Sequence, residues 1–410
     1  MKEDNIKSVF DIAIIGGGIV GAATMYKLQK AYPDLKICLF EKESSYAAHQ
    51  TGHNSGVIHS GLYYRPGSER ARLCGTGRKE LVQFAQEFKV DHDVCGKAVA
   101  AKNDDELPYL EKIYQNGIAN GTDDVQKINA QELKEIEPYC ESVGGLWVGC
   151  TGIVDFVGIT KTCVKVAEGI NENSKAFLNT KFESMKRDGE LKKLQTSKGE
   201  FTAKKVIFCG GLQSDRLAKK DKVDSDVKIV GFRGDYYELT DEAKYKVKNL
   251  IYPVPNPAFP FLGVHFTRMT NGDTECGPNA VFTFKREGYG KTDFSFKDTG
   301  EALGYSGTWK LFMKHWKFGL DEYRRAFSKK LFLKQLQGLI PSLEMEDLKP
   351  GRSGVRAMAL GKDGEIFDDF KIEYKEDVIH VLNAPSPAAT ACLSIGEQIK
   401  DMAEQHFNLK

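Results

Sequence analysis

The sequence predicts an α/β fold: a Rossmann-like domain built from discontinuous chain, and a second α+β domain built on an antiparallel sheet. Three observations predict it. A short apolar run opens the chain and leads at once into glycines and then helix formers. Two more apolar runs that end in glycine or small residues return in the middle and near the end of the chain. The stretch between them, roughly residues 225–345, instead alternates apolar and polar residues and is rich in aromatics.

Each element follows from its residues. Val9 to Ile15 (VFDIAII) is apolar and bounded by glycines, as a buried parallel strand is. GGGIVGAATMYKLQK then supplies a tight turn and a helix. Lys36 to Phe40 (KICLF) reads as the next strand and ends at Glu41. This strand–turn–helix–strand order starts a doubly wound sheet. Lys205 to Cys209 (KVIFC) is a third strand, followed by Gly210 and Gly211. Val378 to Leu382 (VIHVL) is a fourth, followed by NAPSPAATACLSIGEQI, where Pro387 suits a helix start. Between these, FRGDYYEL, VHFTRMT and AVFTFKRE alternate as antiparallel strands do. Four of the 13 prolines fall from Pro253 to Pro260 and mark a loop.

Composition sets limits. At roughly 150 residues per domain, 410 residues make two or three domains or one large α/β domain with insertions. The 58 Lys and Arg balance 57 Asp and Glu, against a nucleic-acid binder, which needs a concentrated basic surface. The nine cysteines are odd in number and contain no CxxC, so a disulfide framework or zinc knuckle is not expected and a reducing compartment is. The polar start MKEDNIKSVFD does not resemble a signal peptide, and no apolar run reaches the length of a membrane span.

Three segments hold no Asp, Glu, Lys or Arg: Ser44–Tyr64, Asn249–Thr267 and Val378–Gly396. All mix glycine, proline, serine, asparagine, histidine and aromatics. Polar but uncharged chain fits backbone buried against a large ligand.

Gly16-Gly17-Gly18-Ile19-Val20-Gly21 satisfies G-x-G-x-x-G between a strand and a helix, and Glu41 lies 20 positions beyond its last glycine. Gly16 permits the turn, Gly18 lets backbone approach a pyrophosphate, and Gly21 allows close helix–strand packing. The helix N-terminus favours the anion. Glu41 suits a ribose diol and repels a 2′-phosphate, so FAD or NAD is expected rather than NADP. FAD is favoured because the chain leaves the simple β/α alternation after Glu41 and returns to strand–glycine units at 205 and 378.

The stretch His49-Gln50-Thr51-Gly52-His53-Asn54-Ser55-Gly56-Val57-Ile58-His59-Ser60-Gly61-Leu62-Tyr63-Tyr64 resembles the L-2-hydroxyglutarate dehydrogenase/oxidase family. That family belongs to the FAD-dependent group with glycine oxidase, sarcosine oxidase and glycerol-3-phosphate dehydrogenase. LGVHFTR at 262–268, SGVRAMAL at 353–360 and VLNAPSPAATA at 381–391 point the same way. Cys209-Gly210-Gly211, where the family more usually has Cys-Ala-Gly, and Leu62 in place of isoleucine are mild departures.

The resemblance implies FAD-dependent oxidation of L-2-hydroxyglutarate to 2-oxoglutarate, by hydride transfer from C2 to flavin N5. It implies a Rossmann-like FAD-binding domain from 1–90, 142–220 and 350–410, and a substrate domain from 91–141 and 221–349. Expected cofactor contacts are Gly16, Gly18, Gly21, Glu41, Lys42, Thr51, Gly52, His53, Asn54, Ser55, Gly210, Ser386, Pro387, Ala388, Ala389 and Thr390. The Pro387 helix start would clamp the flavin pyrimidine, with Ser386, Ala388 and Ala389 as backbone donors.

The hydroxyl must also lose a proton, and histidine suits that task. His59 is the first choice, His265 its rival, and His53 is placed near the flavin ring. Arg356 resembles the arginine that meets substrate in the glycerol-phosphate relatives. Arg233, Lys285, Arg286 and Arg65 are further candidates for a dicarboxylate anchor. Tyr63 and Tyr64 either close the pocket or serve as core aromatics. No metal site is expected: His49 and His53 have i,i+4 spacing, but Gly52 and Gly56 oppose the helix it needs.

Lys314 to Leu336 carries seven Lys and Arg among Trp, Phe and Leu. It reads either as an interfacial helix touching a membrane or as a solvated amphipathic helix over the core. The electron acceptor, quinone or oxygen, stays open. The expected location is intracellular, in the cytoplasm or at the inner face of a membrane, and mitochondrial in a eukaryote. The competing readings are an amine or amino-acid oxidase of the same group, an NAD-dependent dehydrogenase, and a non-catalytic FAD-binding scaffold.

Overall fold

The structure is a computed structural model that describes residues 9–255 and 262–409. The expected loop from Pro253 to Pro260 lies mostly outside the described residues; Pro253 itself ends a strand.

Val9–Ile15 sits in a parallel core, between Ile37–Phe40 and Gly199–Phe208. Lys175–Phe177 extends the parallel set beyond Ile37–Phe40. Val378–Asn383 runs parallel alongside the last residues of Gly199–Phe208, with Phe208 opposite His380. Two antiparallel additions widen this sheet: the hairpin of Phe182–Asp188 and Leu191–Thr196, and Lys371–Lys375.

Successive residues of the first strand serve opposite faces, which is why it reads as one apolar run. Ile12 and Ile14 pack under the helices Ile19–Ala31, Phe156–Ile170 and Cys392–Phe407. Ala13 and Ile15 pack with Phe40, Phe182, Leu194, Phe201 and Phe208 on the other side. Phe10, Phe40 and Phe201 surround Phe177 at ring-centroid separations of 6.3, 5.7 and 5.1 Å.

The second sheet has nine strands. Its spine is the long antiparallel pair Val227–Leu239 and Leu348–Gly361. It continues through Thr274–Gly277, His265–Arg268, Leu250–Pro253, Lys97–Ala101, Gly144–Val148 and Val125–Asn129. The sheet is antiparallel except at one junction, where Leu250–Pro253 runs parallel to Lys97–Ala101. Gly144–Val148 and Leu348–Gly361 hydrogen-bond in this sheet, although residues 142–220 and 350–410 were expected with the first unit.

Two local expectations need correction. The helix expected to start at Pro387 starts at Cys392. Residues 387–391 form turns instead: Ala388 N–H donates to Pro385 and Ala391 N–H to Pro387. The α-helical ladder then opens with Ile395 N–H on the Ala391 carbonyl. The stretch 314–336 is not one helix: Ser306–Phe327 is kinked at His315, where φ is -123° and ψ 25°, and Ser328 ends it and caps Lys329–Leu336.

Candidate active site

The carboxyl ends of the parallel strands open into one cavity of about 1790 Å³. Gly16, Glu41, Gly210 and Ala384, each just beyond a strand, all line it. This is where an open α/β sheet places its ligand. All three charge-poor segments reach it: Ala47 to Tyr64, Tyr252 with Pro255, Leu262 and His265, and Val381 to Ala389.

At the nucleotide end, Gly16 adopts φ +119°. A Cβ there would lie 2.3 Å from the Cys209 carbonyl oxygen. A Cβ on Gly21 would lie 2.0 Å from the Gly16 carbonyl oxygen, so this glycine is needed for helix–strand packing and does not face the cavity. A Cβ on Gly18 would meet only Thr51 Oγ1, at 3.4 Å. The Glu41 carboxylate accepts the Gly17 N–H and the Glu43 N–H, each at 2.8 Å. These two bonds aim it while leaving lone pairs for further donors.

Thr51 accepts the Ile19 N–H at 3.0 Å, tying the histidine-rich segment to the N-terminus of the fingerprint helix. Asn54 stiffens the same segment, donating to Thr51 O and accepting from Gly56 N–H, both at 2.8 Å. His53 hydrogen-bonds through Nδ1 to the Ser353 carbonyl at 2.8 Å and stacks on Tyr289 at 4.0 Å. Burial holds its pKa below the usual histidine value. Ser55, Ser386, Pro387, Ala388 and Ala389 line the cavity.

Gly52 and Thr390 act from behind the wall. A Cβ on Gly52 would meet the Ala47 carbonyl at 2.4 Å. Thr390 Oγ1 accepts the His59 N–H at 3.0 Å and donates to Val57 O at 3.2 Å. Lys42 lines the cavity, but its ammonium meets Glu43, Glu287 and His49 Nε2. Glu43, His49 and Glu287 would otherwise be a metal-like cluster; the ammonium already supplies a cation to all three.

At the other end, His59 and His265 both line the cavity. Burial, with Lys97, His265 and Arg70 nearby, pulls His59 down to about 3. Burial, opposed by a hydrogen bond to Gly263, pulls His265 down to about 4. Both imidazoles are therefore neutral at physiological pH. His265 Nδ1 lies 2.9 Å from the Gly263 carbonyl, which makes that nitrogen the donor and leaves Nε2 as acceptor. Its ring stacks on Tyr252 at 4.0 Å. Tyr63 and Tyr64 line the cavity, and the buried Tyr63 hydroxyl has no hydrogen-bond partner among the described residues.

Arg356 lines the cavity, with one guanidinium nitrogen 3.3 Å from Asn279 O. The other candidate anchors fare differently. Arg233 pairs with Asp235 and donates to Gly290 O. Arg286 is clamped on Asp215 and Leu212 O. Both are occupied within the protein, and neither they nor Lys285 line the cavity. Arg65 does, at an exposed position.

Three residues escaped sequence reasoning. Arg70 lines the cavity, donates to Ser386 O at 2.8 Å and Asp368 O at 2.7 Å, and lies 4.7 Å over the Tyr64 ring. Arg352 donates to Gly52 O at 2.9 Å and Asn54 O at 2.6 Å while pairing with buried Glu275. Lys97 lies fully buried behind Tyr63 and Tyr252. Proximity to the 353–360 motif was a signal for Arg352; nothing in the sequence marks the other two.

Residues 11–402 match the FAD dependent oxidoreductase family. The L-2-hydroxyglutarate dehydrogenase of Indibacter alkaliphilus is 46% identical over 400 residues, covering 97% of this chain and 100% of its own. The Escherichia coli K12 protein of that name is 41% identical over 392 residues, covering 95% of this chain and 92% of its own. The chain belongs to the L-2-hydroxyglutarate dehydrogenase family of FAD-dependent oxidoreductases. The mitochondrial member from Nematostella vectensis is 41% identical over 417 residues, 98% of this chain and 91% of its own. Among solved structures, dithionite-reduced L-alpha-glycerophosphate oxidase of Mycoplasma pneumoniae with FAD bound superposes with TM-score 0.79 at 24% identity, covering 98% of this chain and 96% of that one. Glycine oxidase of Geobacillus kaustophilus gives 0.72 at 17% identity over 97% and 95% of the two chains. At those identities the structural likeness speaks for the fold.

Proposed function

We infer that this protein oxidises L-2-hydroxyglutarate to 2-oxoglutarate with FAD as cofactor. The observation that carries the reading is one continuous cavity. It joins the fingerprint glycines and Glu41 to two neutral imidazoles and two guanidinium groups. The residues fit FAD: Gly18 leaves open the space a Cβ would fill, and Glu41 keeps acceptor capacity at the strand end. Gly16, Gly18 and Glu41 would hold the adenosine and pyrophosphate. Thr51 to Ser55 and Gly210 would hold the middle of the cofactor. Ser386 to Thr390 would hold the pyrimidine end. There the Ala388 N–H is engaged with Pro385, which leaves Ser386 and Ala389 as the proposed donors, with Thr390 supporting them from behind. Bound FAD supplies the hydride acceptor.

The chain's own residues do the rest. His59 takes the hydroxyl proton, being buried, neutral and anchored by its backbone to the Thr390 turn. His265, on the opposite sheet, lines the same cavity with Nε2 as a second acceptor and is the rival base. Arg356 and Arg70 hold the two carboxylates. The arriving anions raise the affinity of both imidazoles for a proton as the hydroxyl gives one up. The first sheet serves the cofactor and the second the substrate. The test is a substrate panel with an artificial acceptor: L-2-hydroxyglutarate turns over, and glycine, sarcosine and D-amino acids do not. Turnover of the amines instead would make it an amine oxidase.

The acceptor is proposed to be a quinone reached at a membrane surface. Trp309 and Met313, and beyond a kink at His315 also Trp316 and Leu320, are all exposed on Ser306–Phe327, Met313 at 67% and Trp316 at 60%. Phe296, which begins the preceding helix, is 88% exposed, and Lys310, Lys314 and Lys317 are interspersed with these residues. This is an interfacial pattern. Lys314 and His315 of the same helix line the cavity. No helix among the described residues is long and apolar enough to cross a membrane. Sedimentation with anionic vesicles, weakened by salt, is the expected result; no binding would remove the idea.

A further inference from the structure

Lys97 begins the strand Lys97–Ala101, between Leu250–Pro253 and Gly144–Val148, and its side chain is only 1% exposed. Burying an ammonium is costly unless a carboxylate pairs with it. Among the described residues none does. The ammonium lies instead over the Tyr63 ring at 4.6 Å and the Tyr252 ring at 4.9 Å. Both rings line the substrate end of the cavity, and Tyr252 stacks on His265. The charged groups acting on His59 and His265 are Lys97, Arg70 and Arg356, all positive.

We propose that Lys97 is a positioning residue of the substrate pocket, whose uncompensated buried charge, acting from behind Tyr63 and Tyr252, is neutralised by the dicarboxylate substrate. The protein thus carries an unpaired cation for which the substrate supplies the counter-charge. This rests on the L-2-hydroxyglutarate reading and deepens it, because a monoanion or a zwitterionic amino acid neutralises less of the field. Burial lowers the Lys97 pKa to about 8, so the free protein starts to lose this charge at mildly alkaline pH. The groups facing it do not titrate there. Cys74 is pushed up to about 12, and Cys150, Tyr63 and Tyr252 are all raised by burial. His59 and His265 are already neutral.

The experiment measures binding, without turnover, on the FAD-loaded protein. 2-Oxoglutarate is titrated against the visible flavin spectrum from pH 6 to 10 for the unsubstituted protein, Lys97→Met and Lys97→Arg. The unsubstituted protein should bind progressively more weakly above about pH 8. Lys97→Met should bind about tenfold more weakly at pH 7 and lose that alkaline limb. Lys97→Arg should recover the affinity and show no limb. Lys97→Met should keep its FAD and melt no lower than the parent, because it removes an unpaired buried charge. Equal affinity and an unchanged pH profile in Lys97→Met would overturn the proposal, as would loss of FAD or of folding. If the unsubstituted protein fails to bind 2-oxoglutarate at all, the substrate reading itself falls and takes this proposal with it.

Discussion

Arg352 connects an ion pair to the cofactor-facing chain, and the two roles separate experimentally. Its guanidinium pairs with Glu275, whose side chain is 3% exposed, and it donates to the carbonyls of Gly52 and Asn54. Breaking a buried pair by removing one partner costs about 3–5 kcal/mol. Arg352 is itself a third exposed, so solvent screening reduces that cost to about 2–3 kcal/mol. Burial already pushes the Glu275 carboxyl up against the pull of Arg352, so Arg352→Met should make Glu275 take up a proton. Arg352→Met combined with Glu275→Gln should recover most of the lost stability, because no unpaired charge stays buried. It should not recover cofactor retention, because the anchor on Gly52 and Asn54 is still missing. Each charge-assisted bond lost there is worth about 1.5–3 kcal/mol, so FAD should dissociate at least tenfold more readily. Thermal unfolding gives the first quantity and FAD release on gel filtration the second. If Arg352→Met retains FAD as the parent does, the anchoring argument is wrong. If the double variant is no more stable than the single, the ion-pair argument is wrong.

Three further outcomes are expected. His59→Ala should keep FAD but lose about 10²–10⁴ in kcat, the usual cost of removing a base; a larger loss in His265→Ala would exchange the two roles. Gly21→Ala should destabilise the protein by several kcal/mol and lose FAD, because its Cβ would lie 2.0 Å from the Gly16 carbonyl. Gly18→Ala should fold normally, with its new Cβ 3.4 Å from Thr51 Oγ1, and lose FAD affinity alone; equal melting points for the two would defeat this division. Stability should fall as pH drops from about 6.5 toward 4, because His59 and His265 stay neutral in the folded state while the unfolded chain protonates them. His59→Gln with His265→Gln should flatten that slope, measured as the melting point at pH 5 against pH 7.5.

What was legible in the sequence is local. Val9–Ile15, the glycines and Glu41 carry their own evidence, because a strand, its turn and the next strand are neighbours along the chain. The charge-poor segments were legible for another reason. Backbone enclosed around a cavity excludes charge from all three, however far apart they lie in sequence. Pairing in the second sheet was less legible. Gly144–Val148 carries no mark of its partners, which lie at 97–101 and 125–129. Pro387 misled because a proline suits a turn as well as a helix start. Lys97, Arg70 and Arg352 were hidden by their type. In a chain with 58 Lys and Arg, a cation becomes informative only once its burial and partners are known.

The most direct measurement is an anaerobic absorption spectrum of the purified protein before and after L-2-hydroxyglutarate. The account predicts a yellow protein whose visible flavin bands bleach on addition, with 2-oxoglutarate formed in equal amount. A colourless protein, or a yellow one that L-2-hydroxyglutarate leaves oxidised, would contradict it.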